Sequence, residues 1–204
     1  REAMIELFAE RMNHTPKSFI REILKVAADP DVISFAGGLP NPSLFPVQEI
    51  AEASTKVLKD DGRNVLQYTT TEGYLPLRKF IADRYFQKYG LRVSPDEILI
   101  TNGSQQCLDL LGKVFLNDGD SLVIEKPGYL GAIQAFSIYC PQFHPIPLEE
   151  DGIHLDGLEN VLKNNHIKLF YAVTNFQNPS GISYSGRCRK GLASLLERYP
   201  FVFA

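Results

Sequence analysis

From Glu97 onward the apolar residues gather into short runs separated by stretches of helical period. The runs are Ile98-Leu99-Ile100, Ser121-Leu122-Val123-Ile124, Phe143 to Ile146, Ile167 to Val173 and Phe201-Val202-Phe203. Between them, Gln105 to Leu116, Tyr129 to Ile138, Leu155 to Lys163 and Ser185 to Tyr199 read as helices. Short apolar strands alternating with helices predict an α/β fold, a mainly parallel sheet covered on both faces in three layers. In such a sheet a ligand belongs at the carboxyl ends of the strands.

Before Glu97 the pattern changes. Residues 1–45 read as an N-terminal arm or part of a small domain, with a helix from about Lys17 to Ala28 and then the Gly/Pro-rich run Gly37-Gly38-Leu39-Pro40-Asn41-Pro42, which excludes regular structure. Residues 46–204 read as the first part of one large domain. Pro46 suits the first position of a helix running through Lys59 and ended by Gly62. A second helix, Tyr74 to Tyr89, carries Leu77, Phe80, Ile81, Tyr85 and Tyr89 at helical spacing and is closed by Gly90; both helices are expected to lay their apolar stripes on a sheet. Phe201-Val202-Phe203-Ala204 looks like a buried strand cut off as it begins, so a truncated domain is expected.

Composition narrows the function classes. The chain has 204 residues, 44% of them hydrophobic, and no apolar run long enough to span a bilayer. A net charge of -3, from 21 basic and 24 acidic residues spread along the chain, predicts no nucleic-acid partner. The three cysteines, Cys107, Cys140 and Cys188, are odd in number and lack Cys-x-x-Cys spacing, which argues against a disulfide framework and a zinc site and fits a reducing cytoplasm. Cys107, among leucines on a helix, is expected to be a buried thiol. Arg1-Glu2-Ala3-Met4 has no signal-peptide pattern. No metal site is expected.

Three strand ends carry candidate chemistry. Thr101-Asn102-Gly103-Ser104-Gln105-Gln106 closes one strand and opens a helix, whose free N–H groups and positive dipole end favour a phosphate; taken alone, Ser104 is an ordinary helix cap. Tyr129, after Glu125-Lys126-Pro127-Gly128, overhangs the same edge and could stack on a planar ring. Asn178, held extended by Pro179 in Gln177-Asn178-Pro179-Ser180-Gly181, offers a neutral amide. A phosphate cradle, a flat aromatic and an amide donor together suit a phosphorylated heteroaromatic cofactor.

These runs, with Ser34 to Pro42, Phe45-Pro46, Leu66-Gln67-Tyr68, Gly73 and Leu77-Arg78, resemble the fold-type I pyridoxal-phosphate aminotransferases, in the class I/II branch of 2-aminoadipate and kynurenine aminotransferases. The resemblance implies a large domain of that fold, the cofactor pyridoxal 5'-phosphate, amino-acid and 2-oxo-acid substrates and a homodimer. It implies that Gly103, Ser104 and Gln105 hold the phosphate, Tyr129 stacks on the pyridine ring and Asn178 donates to the ring's phenolate oxygen. Tyr68 resembles the tyrosine that reaches the phosphate of a neighbouring subunit, Gly38 the backbone near the substrate carboxylate, and Arg21 a side-chain contact of the substrate, which Asn178 is also expected to bind. The family's Schiff-base lysine, the acid at the pyridine nitrogen and the arginine for the substrate carboxylate have no counterpart in the chain; Lys113, Lys126, Lys168 and Lys190 lie in other contexts. No catalytic residue is therefore assigned, and the chain alone is expected to be inactive. Thr174 stands where many relatives have proline. A non-catalytic cofactor-binding or effector-sensing module is the alternative, and a nicotinamide-dependent dehydrogenase ranks last because no Gly-x-Gly-x-x-Gly follows a strand.

Overall fold

The computed structural model describes residues 7–14, 33, 38 and 40–204. The expected helix at Lys17 to Ala28, with Arg21, lies outside the described residues. By internal contacts the chain divides into Arg1–Lys17 with Asn102–Ala204 and, separately, Ser18–Thr101, a different division from the one expected at residue 45.

In the Ser18–Thr101 unit, Asn41 caps a short 3-10 turn, Pro42–Leu44, ahead of helix α1 (Val47–Val65). Gly62 does not end α1. The helix bends at Asp61 (φ -144°) and runs on to Val65. Helix α2 (Leu75–Tyr89) ends as expected at Gly90, which takes the left-handed conformation at φ 69° that a side chain would resist. The expected packing of both stripes is not found: α1 buries no residue, and Leu77, Phe80, Tyr85 and Tyr89 are exposed. What α2 does bury is Ala82 and Arg78; the Nε of Arg78 donates to Gly73 O (3.1 Å) and its Nη1 to Pro95 O (2.9 Å), pinning two turns to the helix. Ile98 to Ile100 is extended but is not a strand; its backbone bond runs from Ile100 N–H to Glu72 O (3.0 Å), into a turn.

The other unit is built on the predicted sheet. Strands β1 (Ser121–Lys126), β2 (Gln142–Glu149), β3 (Gly152–Ile153), β4 (Ile167–Tyr171) and β5 (Val202–Phe203) lie in the order β3-β2-β1-β4-β5. All neighbours are parallel except the short β3, which turns back on β2. Helices α3 (Ser104–Phe115) and α4 (Leu130–Ser137) cover one face, and α5 (Leu155–Asn164) and α6 (Gly186–Arg198) the other.

Alternation along β1 explains the two cores. Leu122 and Ile124 point to the cluster of Leu108, Ala132, Phe136 and Leu169, whereas Val123 points to that of Ile146, Leu158, Phe170 and Leu192. A register shift beside Ser121/Leu122 pairs Ser121 with Ile167 but Leu122 with Leu169, so Ile167 and Phe170 share a face. Phe136 and Phe170 are fully buried, each worth about 1.5–3 kcal/mol, so the two layers and not the short ladders carry most of the cohesion. Cys107 is exposed, contrary to expectation, because the buried stripe of α3 runs through Leu108 and Gly112 and leaves position 107 to its side. The buried thiol is Cys188, whose pKa is raised by desolvation.

His144 on β2 sits 3.0 Å from Ser121 Oγ, and burial lowers its pKa below the ordinary 6.5. The folded form therefore favours the neutral ring. The associated stability is whole above pH 6.5 and is lost as pH falls through the lowered value. Urea titrations between about pH 7.5 and 5 are expected to show a loss of stability that a His144→Gln variant lacks.

Candidate functional site

Connections leave β1 toward β2 on one side and β4 toward β5 on the other, so the carboxyl ends of β1 and β4 flank a topological switch point. A buried hydrogen-bond network closes that point. Period two sets Glu125 on the same side as Val123, facing a core, where a carboxyl group must find donors. It finds three: Tyr184 Oη donates to Oε1 at 2.6 Å, and Gln177 Nε2 (3.1 Å) and Val173 N–H (3.2 Å) donate to Oε2. The bond from Val173 also explains why β4 stops at Tyr171, short of the expected Val173.

Gln177, 1% exposed, ties the loops together. Its Nε2 also donates to Pro127 O (2.8 Å), in the turn that leads to Tyr129. Its Oε1 accepts from Ser180 N–H (2.9 Å) and Ser180 Oγ (2.6 Å), and its backbone bonds Ile182 and Gly181, closing the turn that displays Asn178. Both the Lys126-Pro127 and Asn178-Pro179 peptide bonds are cis. Tyr184 titrates far above its ordinary range, first through desolvation and then through Glu125, so its hydroxyl remains a donor. Arg189, from α6, forks onto Thr174 O (2.7 Å) and Asn175 Oδ1 (2.9 Å) while its Nε donates to Tyr184 O (3.0 Å), fixing the loop from the other side.

Helix α3 supplies the third wall. Its N-cap is Gly103 at φ 80°, with no side-chain cap, and nothing lies within 4 Å of where a Cβ on Gly103 would be. Ser104 is thus the first residue of the helix and not its cap. An open helix N-terminus of this kind fits a phosphate. Gln105 Nε2 donates to Gly131 O (3.1 Å) in the first turn of α4, joining this terminus to the segment that begins at Tyr129, the half-buried N-cap of α4. The unit thus brings together Gly103, Ser104, Gln105, Tyr129 and Asn178. Gly38 (φ 54°) and Tyr68 (96% exposed) belong to the Ser18–Thr101 unit, and Arg21 lies outside the described residues.

A cavity of about 670 Å³ lined by Glu10, Arg11, Asp118 and Tyr139 opens at the amino-terminal edge of the sheet, away from this switch point. Among the described residues no group of three or more His, Cys, Asp or Glu could hold a metal ion, and no helix is long and apolar enough to cross a membrane.

The family model for aminotransferase class I and II matches residues 30–202. The chain belongs to this aminotransferase family. It is 48% identical over 176 residues to the 2-aminoadipate transaminase of Thermus thermophilus, covering 86% of this chain and 43% of that protein. Among solved structures it resembles Pyrococcus horikoshii kynurenine aminotransferase in complex with PMP, KYN and KYA (TM-score 0.90, 40% identity, 98% of this chain and 50% of that one). It also resembles the alpha-aminoadipate aminotransferase of Thermus thermophilus complexed with N-(5'-phosphopyridoxyl)-L-leucine (TM-score 0.85, 44% identity, 98% and 49%). The chain therefore spans about half the length of these relatives, and its sheet is the fold-type I aminotransferase sheet that the motifs implied.

Four residues that shape this candidate site, Glu125, Tyr184, Arg189 and Gly131, were not singled out by motif. For Glu125 a signal existed: an acidic residue ending an otherwise apolar strand, at a position whose parity faces inward.

Proposed function

We propose that this chain is the N-terminal part of a pyridoxal 5'-phosphate-dependent aminotransferase that transfers an amino group from an amino acid to a 2-oxo acid. The observation that carries the reading is the bridge from Glu125 through Gln177 to Pro127, because it joins an aromatic-bearing loop to an amide-bearing loop at one carboxyl edge. The residues present suit the cofactor: a helix N-terminus whose N-cap Gly103 places no side chain over the first turn, for the phosphate, a ring for the pyridine face, a neutral amide for the phenolate oxygen. Bound there, pyridoxal phosphate supplies the electron sink that makes a substrate Cα–H acidic.

In this reading the backbone N–H groups of Ser104 and Gln105 and the Ser104 hydroxyl hold the phosphate, with Gly103 leaving room for its approach. Gln105's own amide is engaged with Gly131, so its contribution is its backbone. Tyr129 holds the ring plane and Asn178 orients the phenolate edge. Tyr68, fully presented to its surroundings, would reach the phosphate of a second copy in a homodimer, while Gly38 would approach the substrate carboxylate and Arg21 its side chain. Proton transfer is assigned to a lysine in the part that the relatives have in addition. A cytoplasmic setting is proposed with it, supported by three unpaired cysteines. The names of the relatives make 2-aminoadipate and kynurenine the first donors to try.

The test uses the full-length gene product, titrated with pyridoxal phosphate by visible absorption and then assayed with those donors and 2-oxoglutarate. Cofactor binding and release of a 2-oxo acid are expected, and none from the 204-residue chain alone. Asn178→Ala is expected to weaken cofactor binding about tenfold or more, since one hydrogen bond to a charged group is lost. A full-length protein that binds no pyridoxal phosphate would refute the reading.

A further inference from the structure

Tyr129 and the N-terminus of α3 meet at a single residue without a side chain. A Cβ built on Gly131 would lie 2.7 Å from Cε1 and Cζ of Tyr129 and 2.8 Å from its hydroxyl oxygen. The outer half of the ring therefore rests on the Gly131 Cα, in space that any other residue would fill. The carbonyl of the same glycine accepts Gln105 Nε2, so the residue under the ring is also fastened to the first turn of α3. No left-handed φ is found at Gly131, so its backbone does not require glycine. Glycine there is explained by the ring and not by the chain's path.

We propose that Gly131 is a positioning residue that seats the Tyr129 ring and, through Gln105, sets its spacing from the phosphate cradle. The inference rests on the aminotransferase reading above and extends it to the ligand's shape. A ring seated on backbone leaves a slot for one flat, phosphorylated heteroaromatic. A ring lifted by a methyl group closes part of that slot. Because the atoms in the way belong to the free end of a side chain, Gly131→Ala can be accommodated by swinging the ring, and helix formation itself favours alanine over glycine. Folding and cofactor binding should therefore respond in opposite directions.

The experiment compares full-length wild type, Gly131→Ala, Tyr129→Ala and the double variant. Equilibrium dialysis gives the pyridoxal-phosphate dissociation constant, induced circular dichroism reports the seating of the bound chromophore, and thermal melts of the cofactor-free proteins report folding. Gly131→Ala is expected to melt at or above the wild-type temperature, to bind the cofactor about tenfold more weakly and to lose induced dichroism. In the Tyr129→Ala background the same change should have no further effect on affinity, because the atom it displaces is gone. Gln105→Ala, at an exposed position, is the second variant and is expected to weaken binding without changing the melt. The proposal is overturned if Gly131→Ala binds like wild type, if it loses affinity equally without Tyr129, or if its effect tracks a lowered melting temperature. Failure of the wild-type protein to bind pyridoxal phosphate would instead overturn the aminotransferase reading itself.

Discussion

Replacing Glu125 with alanine is expected to destabilise the fold by about 3–5 kcal/mol, because three donors then face a site with no acceptor and each unmet buried partner costs about 1–3 kcal/mol. Gln177 loses least, since its amide keeps Pro127 O. The Tyr184 hydroxyl loses most: it is buried, and Glu125 is its acceptor. Against a total stability of about 5–15 kcal/mol, the loss is a large fraction. Glu125→Gln separates shape from chemistry. With its oxygen toward Val173 and Gln177 and its amino group toward Tyr184, it keeps most bonds and leaves only the tyrosine proton without a home, so about 1–2 kcal/mol is expected. Guanidinium denaturation of both variants measures this. An alanine variant within about 1 kcal/mol of wild type would show that the network does not hold the strand ends together. The alanine variant should also bind pyridoxal phosphate weakly, since the network it releases is what ties the loop carrying Tyr129 to the loop carrying Asn178.

The sheet was legible because its strands are short apolar runs with helices between them, a pattern that leaves no other way to keep both faces of β1 and β4 from water. The placement of Tyr129 and Ser104 at helix starts followed from the same pattern, Tyr129 as the N-cap of α4 and Ser104 as the first residue of α3, whereas Asn178 lies seven residues beyond the end of β4, in the turn that Gln177 closes. Pattern failed where a run had nothing to pair with. Ile98-Leu99-Ile100 has strand composition, but its backbone bonds to a turn at Glu72, and composition alone does not name a partner. The stripe of α2 misled in the same way: periodicity states which residues share a side of a helix, not what covers them, and here Arg78 and Ala82 took the buried places. Glu125 and Gln177 were visible as letters within motifs. Their pairing joins residues 52 positions apart and depends on which strands become neighbours, so it became readable only once β1 was beside β4. Gly131 was hidden for another reason, since its role lies in the space left by an absent side chain.

The second large effect is expected at Gly152, where alanine should destabilise the protein by about 4 kcal/mol. Two costs add. At φ 139° the residue occupies backbone space that side chains resist, worth about 1–3 kcal/mol. A Cβ would also lie 2.5 Å from Cys188 Sγ, 3.1 Å from Cys188 Cβ and 3.1 Å from Tyr184 Cγ, and overpacking a buried site costs about 1–3 kcal/mol. These neighbours cannot easily move. Cys188 is in the first turn of α6, its N–H bonded to the Ser185 cap (3.1 Å), and Ser185 in turn is held by Asp151 through both its N–H and its hydroxyl (2.8 Å each). Tyr184 is held at its other end by Glu125. The strain therefore has one soft exit, along the tyrosine ring toward the carboxyl group that joins β1 to β4. Two further variants separate the contributions. Adding Cys188→Ala to Gly152→Ala removes the sulfur contact and should recover about 1 kcal/mol, leaving the backbone cost. Combining Gly152→Ala with Tyr184→Phe, which has no hydroxyl to displace, should give less than the sum of the single losses, because both act on the same hydrogen bond. Additive losses in that cycle would mean that the strain ends at Cys188 and never reaches Glu125. In that case Gly152→Ala should lower stability while pyridoxal-phosphate affinity stays at the wild-type value. Coupled losses predict that both fall together, and a β-hairpin at the far edge of the sheet would then be linked to the loops that display Tyr129 and Asn178.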